Sequence, residues 1–98
     1  MEEDAYRDKV LRTFFWRGRL VQLPMQLKKR LIVLEKLVEE FEPDRAYPEM
    51  EVNQILLDFF DDYAILRREI VDFGYMERER GIYRRLASPG ESSGAGND

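Results

Sequence analysis

The run YAILRREIVDFGYMERERGIYRRL, residues 63–86, decides the fold. Its first half sets Tyr63, Leu66, Ile70 and Phe73 at helical spacing, so that at about 100° per residue they share one apolar face. Gly74 stands where the residue past a helix end commonly takes a left-handed backbone. Tyr75 to Glu77 then reads as a strand and Glu79-Arg80-Gly81 as a turn, with Ile82 to Leu86 as the return strand of a hairpin. Helix, glycine and hairpin in this order predict the closing half of a winged helix-turn-helix unit.

Upstream, Asp61-Asp62 breaks the chain, and either carboxylate can accept hydrogen bonds from the unpaired N–H groups of the helix that follows. The preceding helix is predicted to open at Pro48, a good first-turn residue, and to run to roughly Phe60, burying Val52, Ile55, Leu56 and Phe59. Glu49 and Glu51 suit its N-terminal turn. Before it, Arg45-Ala46-Tyr47 passes as brief extended chain, and Glu42-Pro43-Asp44 ends the clearest helix, Met25 to Phe41, whose stripe is Leu27, Leu31, Leu34, Val38 and Phe41. A first helix from Glu2 to about Phe15 carries Tyr6, Val10, Leu11, Phe14 and Phe15 at helical spacing. Arg17-Gly18-Arg19 turns it into a short extended run, Leu20 to Leu23, closed by Pro24.

The predicted fold class is therefore mainly α (α+β), a winged helix-turn-helix-like domain with an extra N-terminal helix and a C-terminal two-stranded wing. One domain is expected over residues 1–86, with 1–24 as the N-terminal helix and extended segment and 25–86 as the winged-helix unit. The stretch 87–98 is small and polar and predicts a disordered tail.

Composition narrows the chemistry. Ninety-eight residues at 44% hydrophobic content supply one core and not two. With no cysteine and no histidine, the thiol nucleophile, the thiolate metal site and the usual general base near neutrality are all missing. No catalytic residue, cofactor or enzyme activity is expected. The opening residues Glu2, Glu3 and Asp4 and the lack of a long apolar run argue against a signal peptide or a membrane span, so the expected location is the cytoplasm. A net charge of −4 lacks the global basic field of a strong nonspecific nucleic-acid binder.

Many of these residues also carry a resemblance. Phe14-Phe15, Gly18-Arg19-Leu20, Pro24 and Lys28-Lys29-Arg30-Leu31 with Val33-Leu34 open it, followed by Phe41, Arg45, Tyr47, Glu49, Glu51-Val52-Asn53 and Ile55-Leu56. Asp62, Leu66-Arg67-Arg68, Gly74, Arg78 and Tyr83-Arg84 complete it. The pattern, from about Val10 to Leu86, resembles an uncharacterised bacterial domain-of-unknown-function family whose members occur alone or fused behind ArsR-type repressor domains. The resemblance implies a winged-helix-like fold and a link to transcription, with no known reaction or ligand. Pro48 departs from it, since the family more often has a capping serine or threonine there.

Candidate DNA-binding residues fall in three places. Arg67 and Arg68 lie on the helix that enters the major groove in helix-turn-helix proteins. Arg78, Arg80, Arg84 and Arg85 crowd the predicted wing, and Lys28 and Lys29 precede Arg30 near the start of a helix. Against groove reading, the outward face of residues 63–73 carries Ile65, Arg68, Glu69 and Asp72 beside Asp61, a net acidic surface that repels phosphate. Solvated pairs such as Arg68 with Asp72, and an edge hairpin protected by its charges, explain the same arginines without DNA. Asp58, Asp61 and Asp62 suit helix termination and capping better than a metal site. Phe14, Phe15, Trp16 and Ile65 are candidates for a homodimer or protein-partner surface, with core packing as the alternative for the two phenylalanines. The expected function is a DNA-associated transcriptional regulatory domain; the alternative is a winged-helix-shaped interaction or dimerisation module that does not read DNA.

Overall fold

In the computed structural model, which describes residues 2–87, the chain is built of short helices and shorter strands. The order is α1 (Glu2–Phe14), β1 (Phe15–Trp16), β2 (Arg19–Leu20), α2 (Leu27–Val38), β3 (Ala46–Pro48), α3 (Glu49–Leu57), α4 (Tyr63–Asp72), β4 (Met76–Glu79) and β5 (Ile82–Arg85). β1 and β2 make a small antiparallel ribbon, and the other three strands form an antiparallel sheet in the order β3-β5-β4. Over the described residues the result is an α+β globule of four helices with small antiparallel sheets. Of the stretch 87–98 expected as a tail, only Ala87 lies among the described residues.

Two features correct the expectation of a two-stranded wing preceded by loosely extended chain. The hairpin has a third strand, because Ala46, Tyr47 and Pro48 pair with Arg84, Tyr83 and Ile82. The segment after α1 is itself a hairpin, with Phe15 opposite Leu20 and Trp16 opposite Arg19. Both hairpins use the same device. Arg17-Gly18 and Arg80-Gly81 all have positive φ (52°, 81°, 54° and 80°), which gives a two-residue turn whose twist matches that of its strands. Pro48, expected inside the first turn of α3, stands one residue earlier as the N-cap and the last residue of β3. The first free N–H of α3, on Glu49, donates to the Gly81 carbonyl at 3.1 Å and so docks the hairpin turn on the helix start.

The core gathers one side of every element. Val33, Leu34 and Leu37 of α2, Val52 and Leu56 of α3, and Leu66 and Ile70 of α4 are completely buried, and Tyr47, Met76 and Tyr83 close the core from the sheet. Phe41 sits edge-on to Tyr47, ring centres 5.0 Å apart, just past α2. The Glu42 N–H donates to the Tyr47 hydroxyl at 2.7 Å, which holds the chain at this break. Leu27, expected on the apolar stripe of α2, is exposed because it occupies the first residue of the helix.

α4 ends as its sequence predicts. The Tyr75 N–H reaches back to Ile70 O at 2.9 Å and the Gly74 N–H to Val71 O at 3.0 Å, the two bonds of a Schellman closure, with Gly74 at φ 85°. Tyr75 and Ile70, the residues such a closure brings together, are both buried. Phe73 leaves the predicted apolar face and is 39% exposed, because as C-cap it has already departed from helical geometry.

The backbone angles predict opposite signs at two positions. Gly74→Ala places a Cβ in the left-handed region and should lower unfolding free energy by about 1 kcal/mol, whereas Arg80→Asn, better suited to its turn, should raise it by roughly half that. Urea unfolding followed by circular dichroism distinguishes the two.

Candidate functional site

The junction of α3, α4 and the β4–β5 hairpin is built around one carboxylate. Tyr83, on the core face of β5, is 2% exposed, and a buried phenol requires an acceptor. It donates to Glu49 Oε1 at 2.9 Å. The same oxygen lies 4.0 Å from Arg67 Nε of α4 and 3.9 Å from Arg78 Nε of β4. Arg67 is further held by Asn53 Oδ1, one turn along α3 from Glu49. Burial, then the Glu49 hydrogen bond, raises the Tyr83 pKa above its ordinary value.

A second charged contact ties the N-terminal half to α4. Arg30 makes two parallel bonds to Glu69, Nε to Oε1 and Nη2 to Oε2, both 2.7 Å, while its Nη1 donates to Pro24 O at 2.9 Å. The Glu69 hydrogen bond raises the Arg30 pKa against the opposing effect of burial. Glu69 is thus turned inward, a correction to its expected outward placement. Ile65 follows it. One turn away on the same edge of α4, it is half-buried against the core, so it is not the exposed residue that the sequence suggests.

The predicted DNA-binding residues divide. Arg67 and Arg78 meet at Glu49, Arg68 is exposed on α4, and Arg80 is exposed at the tip of the hairpin. Arg84 is exposed on the opposite sheet face, directly across from Glu77. Arg85 turns inward, donating to Phe41 O at 2.9 Å. Lys28 lies 4.6 Å from the Tyr6 ring, on the α1 side of α2; Arg30, two positions on, faces the other side toward α4. Lys29 is half-buried beside it. The four wing arginines and the two lysines therefore do not share one surface.

Of the interaction candidates, Phe14 and Phe15 are half-buried and packed on the core, while Trp16 is 65% exposed with the Arg17 guanidinium 4.5 Å from its ring centre. Asp62 occupies the N-cap of α4 without a side-chain capping bond, and Asp61 instead pairs with Arg19 at 3.0 Å. Arg19 also donates to Leu57 O and Asp58 O, closing the C-terminal end of α3 that the aspartates were expected to end alone. Among the described residues, no group of three or more acids is placed to hold a metal ion.

Two features escape a helix-by-helix inspection of the sequence. Glu49 looks like an ordinary first-turn acid, and only its spacing of four from Asn53 hints that both face one neighbour. From Lys9 to Leu34 the chain has seven basic residues and no acid, although the whole is net −4. Trp16, Val21, Met25 and Leu27, all exposed, lie within that acid-free stretch.

The chain belongs to the bacterial family described as uncharacterized protein conserved in bacteria (DUF2087), whose model matches residues 19–85. The match takes in the Glu49 junction and the Arg30–Glu69 pair and leaves out α1 and β1. No curated protein and no solved structure matches the chain.

Two buried tyrosines, Tyr83 at the Glu49 junction and Tyr75 beside α2, give the fold a pH signature. Burial raises the pKa of both Tyr83 and Tyr75, with Glu35 adding to the effect at Tyr75. The unfolded chain loses these protons first, so their contribution is complete below the ordinary tyrosine pKa of about 10 and is lost as pH rises through the raised values. Urea midpoints should fall on the alkaline side, and Tyr83→Phe should make that fall shallower even though it lowers the midpoint at neutral pH.

Proposed function

We propose that this chain is a DNA-associated regulatory domain of winged-helix type, without catalytic activity, acting in the cytoplasm. The fold assignment is supported by the sequence α2, β3, α3, α4, β4, β5, in which the strand before the helix pair joins the far strand of the hairpin. In that arrangement α4 is the helix that meets the groove and the β4–β5 turn is the wing. No helix among the described residues is long and apolar enough to cross a membrane.

The observation that carries the reading is the meeting of an α4 arginine and a hairpin arginine at Glu49, while Arg68 and Arg80, close to those two in sequence, are exposed to solvent. Arg80 supports it further. It stands exposed at the tip of the hairpin, where a wing side chain can reach a phosphate. The contact expected is between Arg68 and Arg80 and backbone phosphates, with the exposed Asp72, Glu77 and Glu79 nearby in sequence opposing it and limiting its strength.

Titration of a DNA duplex at low and moderate salt tests this. Binding should weaken steeply with salt, and Arg80→Ala or Arg68→Ala should each reduce the logarithmic slope by about one; no binding at low salt would eliminate the proposal.

A second reading is favoured by the exposed apolar side chains of the acid-free stretch. Trp16 and Val21, 65% and 62% exposed, accompany Met25 and Leu27 at 86% and 56%, exposed apolar side chains of the kind that meet a second copy or a protein partner. Sedimentation that finds a wild-type dimer, dispersed by Trp16→Ala, would favour it. A monomer at all concentrations would remove the dimer form.

A further inference from the structure

We infer that the α3–α4–hairpin junction is a seat for one phosphate of the bound nucleic acid, filled in the free protein by the carboxylate of Glu49. This rests on the DNA reading above and adds an internal competitor to it. The groups around Glu49 Oε1 are all donors: the Tyr83 hydroxyl at 2.9 Å, and the Nε atoms of Arg67 and Arg78 at 4.0 and 3.9 Å. Two guanidiniums against one carboxylate leave a positive charge over within the cluster. Guanidinium presents the same fork of N–H groups to carboxylate and to phosphate, so a site that holds the first is shaped for the second.

The two arginine contacts are also long. At about 4 Å they are ion pairs without a direct hydrogen bond, so neither guanidinium is committed to Glu49, and Arg67 is kept in place from the other side by Asn53. The Glu49 side chain is 40% exposed and has a path outward. Its backbone stays anchored by the N–H bond to Gly81 O, so the side chain can swing away while α3 and the hairpin turn remain docked. Phosphate entry then needs a side-chain rotation and no rearrangement of the fold.

Glu49→Gln removes the charge while keeping an acceptor for Tyr83, and Glu49→Leu combined with Tyr83→Phe removes the charge together with the hydroxyl that needs an acceptor, should the first variant fail to fold. Each should bind the same duplex about tenfold more tightly than the wild type, with a salt slope steeper by about one. Equal or weaker binding by a folded variant would overturn the competitor. The probe that separates this inference from the DNA reading is inorganic pyrophosphate, followed through the Nε–Hε NMR signals of Arg67 and Arg78. If neither protein binds duplex but pyrophosphate moves those signals in Glu49→Gln and leaves the wild type unmoved, the DNA reading fails and the seat stands. If neither duplex nor pyrophosphate is bound, both fall.

Discussion

A buried tyrosine hydroxyl must find an acceptor, and at Tyr83 that requirement organises the C-terminal half of the molecule. β5 lies between β3 and β4, so Tyr83 is flanked by a strand on each side and its hydroxyl meets the start of α3. The only way to bury the ring and satisfy its oxygen is to bring a polar group in with it, and Glu49 supplies one from the first residue of α3. Once there, the carboxylate attracts Arg67 from α4 and Arg78 from β4. The Tyr83–Glu49 bond works beside the Glu49 N–H bond to Gly81 O, which docks the hairpin turn on α3, and it brings together the charge cluster on which the proposed function rests.

The N-terminal half is joined by different means. Arg30 reaches from α2 to Glu69 of α4 and to the carbonyl of Pro24, and Arg19 closes the end of α3 while the neighbouring Leu20 N–H bonds Phe59 O at 2.8 Å. These arginines fix elements to one another. Arg85 does the same at Phe41, and Arg45 stacks on Tyr47 and pairs with Glu51. Much of the positive charge is therefore committed to partners within the protein, at its surface for Arg19 and Arg45 and partly buried for Arg30 and Arg85, which leaves fewer arginines free for a partner.

The helices and the closing glycine were legible because their determinants are local. Apolar residues three and four apart mark α2 and α3, and Gly74 marks the end of α4 by a backbone angle that other residues resist. The hairpin at Arg80-Gly81 was legible for the same reason. Its counterpart at Arg17-Gly18 was not, because two-residue strands leave too little alternation to declare themselves. β3 appeared only as extended chain, since a strand of three residues becomes a strand when a distant partner pairs with it, and its partner β5 lies more than thirty positions away.

The site divides along the same line. The sequence by itself determined which residues were basic, that no histidine or cysteine chemistry was available, and where each helix and the main hairpin lay, because all of these depend on residue identity or near spacing. Which arginines are free depends on the elements packed around them. A helical projection assigns angles around an axis but not what covers each angle, so Glu69 and Ile65 looked outward until α2 lay beside them. In the same way, Arg78 and Arg84 read alike in sequence yet sit on opposite faces of one sheet, and only Arg78 is brought to Glu49.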